Sequence, residues 1–100
     1  MKYKLTLFLL LIAFTQVFAT NCEINGIKLF GKVQFVTSFP DLKIQYVDSF
    51  PDIKVEFVNS FPNSCGQWQK VDSFPDFKVQ VVTSFPDLKV KKVSSFSGMQ

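Results

Sequence analysis

One tripeptide, Ser-Phe-Pro, recurs at Ser38, Ser49, Ser60, Ser73 and Ser84, and a sixth copy, Ser95-Phe96-Ser97, lacks the proline. The spacings are 11, 11, 13, 11 and 11 residues. A unit this short cannot bury its own apolar face, because a five-residue strand spans only about 17 Å. Its stability has to come from packing units against one another, as in repeat proteins. Within the unit, Ser-Phe-Pro-Asp is followed by an apolar residue, Lys, Val or Ile, Gln or Glu, and a further apolar residue. Leu42-Lys43-Ile44-Gln45-Tyr46, Ile53-Lys54-Val55-Glu56-Phe57, Phe77-Lys78-Val79-Gln80-Val81 and Leu88-Lys89-Val90 alternate apolar and polar, the period of a half-buried strand. Proline cannot donate to a ladder, so each strand ends before it. Phe-Pro-Asp suits a type I turn with proline at the second position.

A larger repeat lies over the small one. Gly31-Lys32-Val33-Gln34-Phe35-Val36 aligns with Gly66-Gln67-Trp68-Gln69-Lys70-Val71 at an offset of 35 residues. The same offset maps Ser38 on Ser73, Ser49 on Ser84 and Ser60 on Ser95. The chain therefore reads as two passes of three units, about 31–62 and 66–97, with a join at 63–66 where two extra residues enter. Residues 24–30 offer one more degenerate strand. Stacked units would align Lys32, Lys43, Lys54, Lys78 and Lys89 in one row. Asp41, Asp52, Asp76 and Asp87 would form a second row that offsets the like-charge repulsion. Lys91 and Lys92, on the last strand, would block edge-to-edge pairing, and residues 97–100 would end or cap the fold.

The first nineteen residues are a separate matter. Lys2 and Lys4 precede an unbroken apolar run from Leu7 to Phe14, and Val17-Phe18-Ala19 places tolerated residues at a cleavage site. This is the pattern of a secretory signal peptide, too short in its apolar run to span a bilayer. A membrane anchor and a lipid anchor on Cys22 are the weaker alternatives, the latter because Asn21 is a poor residue before such a cysteine. Cleavage after Ala19 leaves nine lysines against eight acidic residues, a net charge of +1. The apparent basicity belongs mostly to targeting and gives no support to nucleic-acid binding. Export, to the periplasm or the medium, is an oxidising fate, so a Cys22–Cys65 disulfide is the default expectation, with free thiols or an intermolecular bridge as the alternative. It would close a loop of about 44 residues, worth about 4 kcal/mol in the chain-entropy treatment.

This organisation resembles the septoil-knot domain proteins, small bacterial proteins built from such units. The residues carrying the resemblance are the Ser-Phe-Pro-Asp segments at 38–41, 49–52, 73–76 and 84–87 and the join Cys65-Gly66-Gln67-Trp68. It covers about 22–100. It implies an all-β fold: a single-stranded right-handed β-helix of 11-residue strand-turn units, wound in two interlaced passes and threaded as a seven-crossing torus knot. Periodicity alone suggests a plain unknotted β-solenoid. Interlacing places strand 42–46 beside strands of the second half. No activity comes with the resemblance.

Candidate sites are few. The chain has no His, and all eleven of its basic residues are lysines. That removes Ser–His and Cys–His catalysis, His-ligated metals and bidentate arginine clamps. No catalytic, cofactor-binding or metal-ligating residue is assigned. The repeated serines bond turn backbone. The aspartates lack the glycine-rich turns of a calcium ladder. Phe39, Phe50, Phe61, Phe74, Phe85 and Phe96 are expected in the core; if exposed, they form a candidate binding row for a glycan, an apolar ligand or a partner. Trp68, at the join, is read as a plug. The class expected is an exported, non-enzymatic structural or interaction module, monomeric and not membrane-inserted, whose partner is another exported protein or a glycan. A binding protein for a regular surface or polysaccharide is the alternative. Hydrolase and antagonistic-toxin readings rest on nothing in the residues, and the ice-binding version is opposed by there being only two equivalent threonines, Thr37 and Thr83.

Overall fold

The structure, a computed structural model, describes residues 21–99; the expected export signal and its cleavage point at Ala19 lie outside the described residues. Every regular element among them is a strand. In chain order these are β1 (Glu23–Ile24), β2 (Ile27–Lys28), β3 (Gly31–Phe35), β4 (Leu42–Tyr46), β5 (Ile53–Phe57), β6 (Gln67–Lys70), β7 (Phe77–Val81), β8 (Leu88–Lys92) and β9 (Gly98–Met99).

Six of them close into a barrel of parallel strands. The order around the ring is β6, β3, β7, β4, β8, β5 and back to β6. Strands of the first pass alternate with strands of the second throughout. Strand 42–46 lies between β7 and β8, as interlacing requires, and a plain stack of consecutive units does not form. The register is the same at all six junctions. Taking Val33, Ile44, Val55, Trp68, Val79 and Val90 as strand centres, each centre stands opposite the residue two before the next centre. One circuit thus advances twelve residues. At about 3.3 Å per residue and about 4.8 Å between strands, the strands tilt roughly 55° from the axis. That is steeper than in most barrels and opens the interior to a radius of about 8 Å, enough for packed side chains.

Alternation along the strands fills this interior in layers. The middle layer is the six centres, all fully buried. The layer below holds Leu42, Ile53, Phe77 and Leu88, all buried, with Gly31 and Gly66 at the remaining two places. Leu29, also fully buried, enters beneath the glycines and accepts a hydrogen bond on its carbonyl from Trp68 Nε1 at 3.1 Å. Trp68 packs edge-on to Phe57 and Phe77, with ring centroids 6.1 and 5.5 Å away. The tryptophan and Leu29 occupy the volume that the two glycines leave. Trp68 is therefore a plug, as its place in the sequence suggests.

The connections explain the repeat. Segment 36–41 leaves β3, passes over the outside of β7 and enters β4. Val36 N–H donates to the Val79 carbonyl (2.8 Å) on one side of β7 and Asp41 N–H to the Lys78 carbonyl (2.9 Å) on the other. Lys78 N–H donates in return to Asp41 Oδ2 at 2.7 Å. Gln80 Nε2, on the outer face, holds the Thr37 carbonyl at 3.2 Å. The same strap recurs over β8 with Asp52 and Lys89, over β3 with Asp76 and Lys32, and over β4 with Asp87 and Lys43. Segment 93–97 crosses β5, starting from Val93 N–H to the Val55 carbonyl (2.9 Å). It ends in β9, which pairs antiparallel with β5. The join, 58–66, begins alike, with Val58 N–H to the Trp68 carbonyl, but turns back into β6.

Five expectations are corrected. The Phe-Pro-Asp bend is not a type I turn: the phenylalanine has positive φ, and both ends of the segment bond to the strand being crossed rather than to each other. The lysine row does not form, because the register sets Gln34 beside Lys78, Lys43 beside Gln80 and Gln45 beside Lys89; only Lys54 faces a lysine, Lys91. The aspartates accept from backbone N–H groups instead of forming an opposing charge row. Lys91 and Lys92 guard no edge, since β8 is flanked by β4 and β5. Residues 24–30 add no further strand to the stack either; β1 and β2 make a separate hairpin through Asn25-Gly26, whose φ values of 52° and 82° suit the two-residue type I′ loop.

Replacing Asp87 by Ala orphans the Lys43 N–H beneath a strap and is expected to cost about 1–3 kcal/mol. Lys43→Ala, which leaves that N–H in place, is expected within about 0.5 kcal/mol of the parent. Denaturant unfolding of both variants checks this, and a Lys43→Ala loss as large as that of Asp87→Ala would restore the charge-pairing explanation.

Candidate functional site

The residues most exposed at a strain cost are the six repeat phenylalanines. Phe39, Phe50, Phe61, Phe74, Phe85 and Phe96 have φ between 52° and 59° and relative exposures of 82–92%. They are not core, contrary to the expectation. For an L-residue the left-handed region costs roughly 1–2 kcal/mol, and for a bulky side chain it is an outlier. Proline follows in five of the six, which fixes φ of the residue just after the reversal.

The positions of the straps decide the shape of this surface. All six segments start from a hydrogen bond to a strand centre, and the centres form one layer around the barrel. The phenylalanines therefore stand on a belt around the girth, in the order Phe74, Phe39, Phe85, Phe50, Phe96, Phe61, about 60° apart. With strands at a radius of about 8 Å and straps outside them, neighbours are separated by on the order of 10–15 Å. The candidate row is a ring of separate apolar knobs. A flat surface or a straight polymer meets at most two or three of them.

The upper end of the barrel is a second feature, and sequence reading missed it. Phe35, Tyr46 and Phe57 from the first pass alternate there with Val81, Lys92 and Lys70 from the second, two residues above the centres. The Lys70 Nζ stands 5.1 Å over the Phe35 ring and the Lys92 Nζ 4.6 Å over the Tyr46 ring, within cation–π range. The lysine stems cover the core that the aromatic rings leave half-exposed. Burial pushes the Tyr46 hydroxyl above its ordinary value of 10.0. The signal for this layer is the apolar residue that closes four of the six strands, but without the register nothing says that these meet Lys70 and Lys92.

The lower end is closed by the hairpin. Cys22 and Cys65 form a disulfide with Cα atoms 5.8 Å apart, tying the hairpin to the join, and the Ser97 hydroxyl bonds the Cys65 carbonyl at 2.8 Å. The bridge is compatible with an oxidising, exported environment. Among the described residues no cluster of acidic or cysteine side chains could hold a metal ion; Asp41, Asp52, Asp76 and Asp87 are each engaged with a separate strap. The repeated serines are exposed and are not gathered at one place.

A family profile described as the 7(1) septoil knot domain matches residues 26–100. This chain belongs to the septoil knot domain family. Within the chain, 48 residues are 75% identical to a Synechocystis protein described as uncharacterized protein slr1025. The match covers 48% of this chain and 43% of that relative, so the chain spans less than half of the relative it matches. The septoil knot domain accounts for the closed barrel and its interlaced strands, and the strap hydrogen bonds are what hold each pass beneath the other.

Substituting the belt is expected to leave the fold intact. Phe39→Asn relieves positive φ and should hold or raise stability, by up to about 1 kcal/mol, whereas Trp68→Ala should cost about 3–5 kcal/mol. Thermal unfolding of the two variants distinguishes them. The raised Tyr46 value means that the folded state keeps its proton longer than the unfolded state does. Stability is then full below pH 10 and falls as pH rises through the folded value. Tyr46→Phe should remove that part of the alkaline decline, measured as unfolding midpoints between about pH 9 and pH 11.

Proposed function

We propose that this septoil knot domain is an exported, non-enzymatic interaction module that works by presenting its phenylalanine belt to another exported protein. The observation that carries the reading is the combination of positive φ and near-complete exposure at all six phenylalanines. Neither property helps folding. Glycine or asparagine would suit the backbone better, and a polar side chain would suit the solvent better. Strain repeated at every unit, with an apolar group held out in water, belongs to a binding surface rather than a core. Phenylalanine loses little side-chain freedom on burial and fills pockets well, which suits a knob meeting a hole on a partner protein.

The rest of the molecule supports that role. In this reading the chain winds as a right-handed single-stranded helix of strands, passes twice around and is threaded as a knot, closed by Cys22–Cys65. Such a body is a rigid hub, resistant to unfolding and to proteases in the periplasm or medium. The segment 1–19 directs it there. The polysaccharide or regular-surface alternative asks for a flat ladder, and a ring of knobs facing different directions favours compact protein partners instead.

The test is site-specific photo-crosslinking in the producing cells. A photoreactive phenylalanine analogue at Phe85 is expected to join one discrete protein, and the same analogue at Lys43, on a strand beneath a strap, is not. The fourfold variant Phe39→Ser, Phe50→Ser, Phe74→Ser, Phe85→Ser should fold with its disulfide intact and reduce crosslinking from Phe96 at least tenfold. Equal products from Phe85 and Lys43, or no loss in the fourfold variant, would overturn the proposal.

A further inference from the structure

The six-strand ring is regular enough that its departures stand out, and they gather at one place. At the lower rim, where β4, β5, β7 and β8 carry Leu or Ile or Phe, β3 carries Gly31. A Cβ there would collide with Asp76 Oδ2, so the absent side chain is what lets the carboxylate tuck against the barrel. The segment over β6 is longer by two residues and has Asn63 where four of the other five straps have Asp. Asn63 N–H bonds back to the Phe61 carbonyl at 2.9 Å, and the strand crossed here, β6, carries Gln67 where the other crossed strands carry lysine. The hairpin hangs below, adding Ile27 and Lys28.

Between these pieces lies a cavity of about 560 Å³, within the usual range for a small-molecule site. Its apolar wall is Ile27, Phe30, Pro62 and Phe77. Its polar groups are Lys28, Lys32, Asn63 and Asp76. Asp76 Oδ2 is taken by the Lys32 N–H at 2.7 Å, which leaves Oδ1 to accept from a ligand. Asn63 offers both a donor and an acceptor. The lining carries two lysines against one carboxylate, with Glu23 paired to Lys28 across the hairpin.

We infer that this cavity binds an acidic sugar residue, a pyranose ring bearing a carboxylate. The apolar C–H face of the ring lies on Phe30 and Pro62. The hydroxyls meet the Asn63 amide and Asp76 Oδ1. The carboxylate sits near Lys28 and Lys32. A neutral sugar brings no charge to pair with the lysines, and a plain aromatic acid brings no hydroxyls to Asn63 and Asp76. This site is independent of the phenylalanine belt and of its proposed partner. The ring can come as a free monomer or as one unit of a polysaccharide.

Titration of the isotope-labelled protein with sodium galacturonate, followed by amide chemical shifts, tests it. Saturable shifts are expected around Lys28, Gly31 and Asn63, with dissociation constants no weaker than about 10 mM. Galactose and benzoate should bind at least tenfold more weakly. Lys28→Glu, on the exposed hairpin, should weaken galacturonate at least tenfold while leaving the spectrum of the barrel unchanged. Trigalacturonate binding tighter than the monomer identifies a polymer as the source, and equal binding identifies the free sugar; both uphold the site. Absence of saturation, equal binding of galactose or benzoate, or an unaffected Lys28→Glu variant overturns it.

Discussion

The reciprocal bond between a strap aspartate and one strand lysine's backbone holds this molecule together. Asp41, Asp52, Asp76 and Asp87 each donate an N–H to the carbonyl of the lysine beneath and accept that lysine's N–H on a carboxylate oxygen. A connection crossing the face of a sheet normally has its own polar backbone to satisfy and gives nothing to the strand below. Here the crossing segment takes over the ladder on both sides of the strand it spans. In each of these four straps the bonding runs between the two passes, so neither pass can form its sheet without the other. Charge assistance makes the carboxylate bond stronger than an amide equivalent, and the residue type of the repeat follows from that.

Much of the architecture was legible from spacing. The 11-residue period set the strand length, and the 35-residue offset set the two passes; the alternation within Leu42–Tyr46 and its copies identified the buried face correctly. What spacing could not supply was register. The equal two-residue stagger puts lysine beside glutamine across the passes, and no count within one unit reveals that. Asp was misassigned for the same reason: two residues along its own strand it has a lysine side chain, but its partner is a different lysine's backbone 37 or 44 residues away.

The phenylalanines show where physical preference and sequence part company. Composition argues that the ten phenylalanines beyond residue 19 should build a core, and burial of each would stabilise by about 1.5–3 kcal/mol. Instead Val33, Ile44, Val55, Val79 and Val90, with Trp68, fill the middle layer, because the interior of a steep six-strand barrel is filled by mid-sized β-branched side chains. The Asn25-Gly26 dipeptide is itself a hairpin signal, but residues 24–30 also carry the alternation of a degenerate repeat strand, and only the pairing of β1 with β2 separates the two. The cavity at its foot was not readable at all, being assembled from β3, the join and one strap.

The join also has an arithmetic consequence. Every regular strap carries the chain past one strand to the next but one. On a ring with an even number of strands, such steps return the chain to its first strand after a single circuit, with half the places empty. One step must therefore be of a different size, and 58–66 is that step: it lands on the adjacent place, β6, and shifts the second circuit into the gaps of the first. An odd ring needs no such shift, because equal steps visit every place before repeating. Relatives with five or seven barrel strands could thus be built of uniform units, while those with six or eight must interrupt their own repeat once.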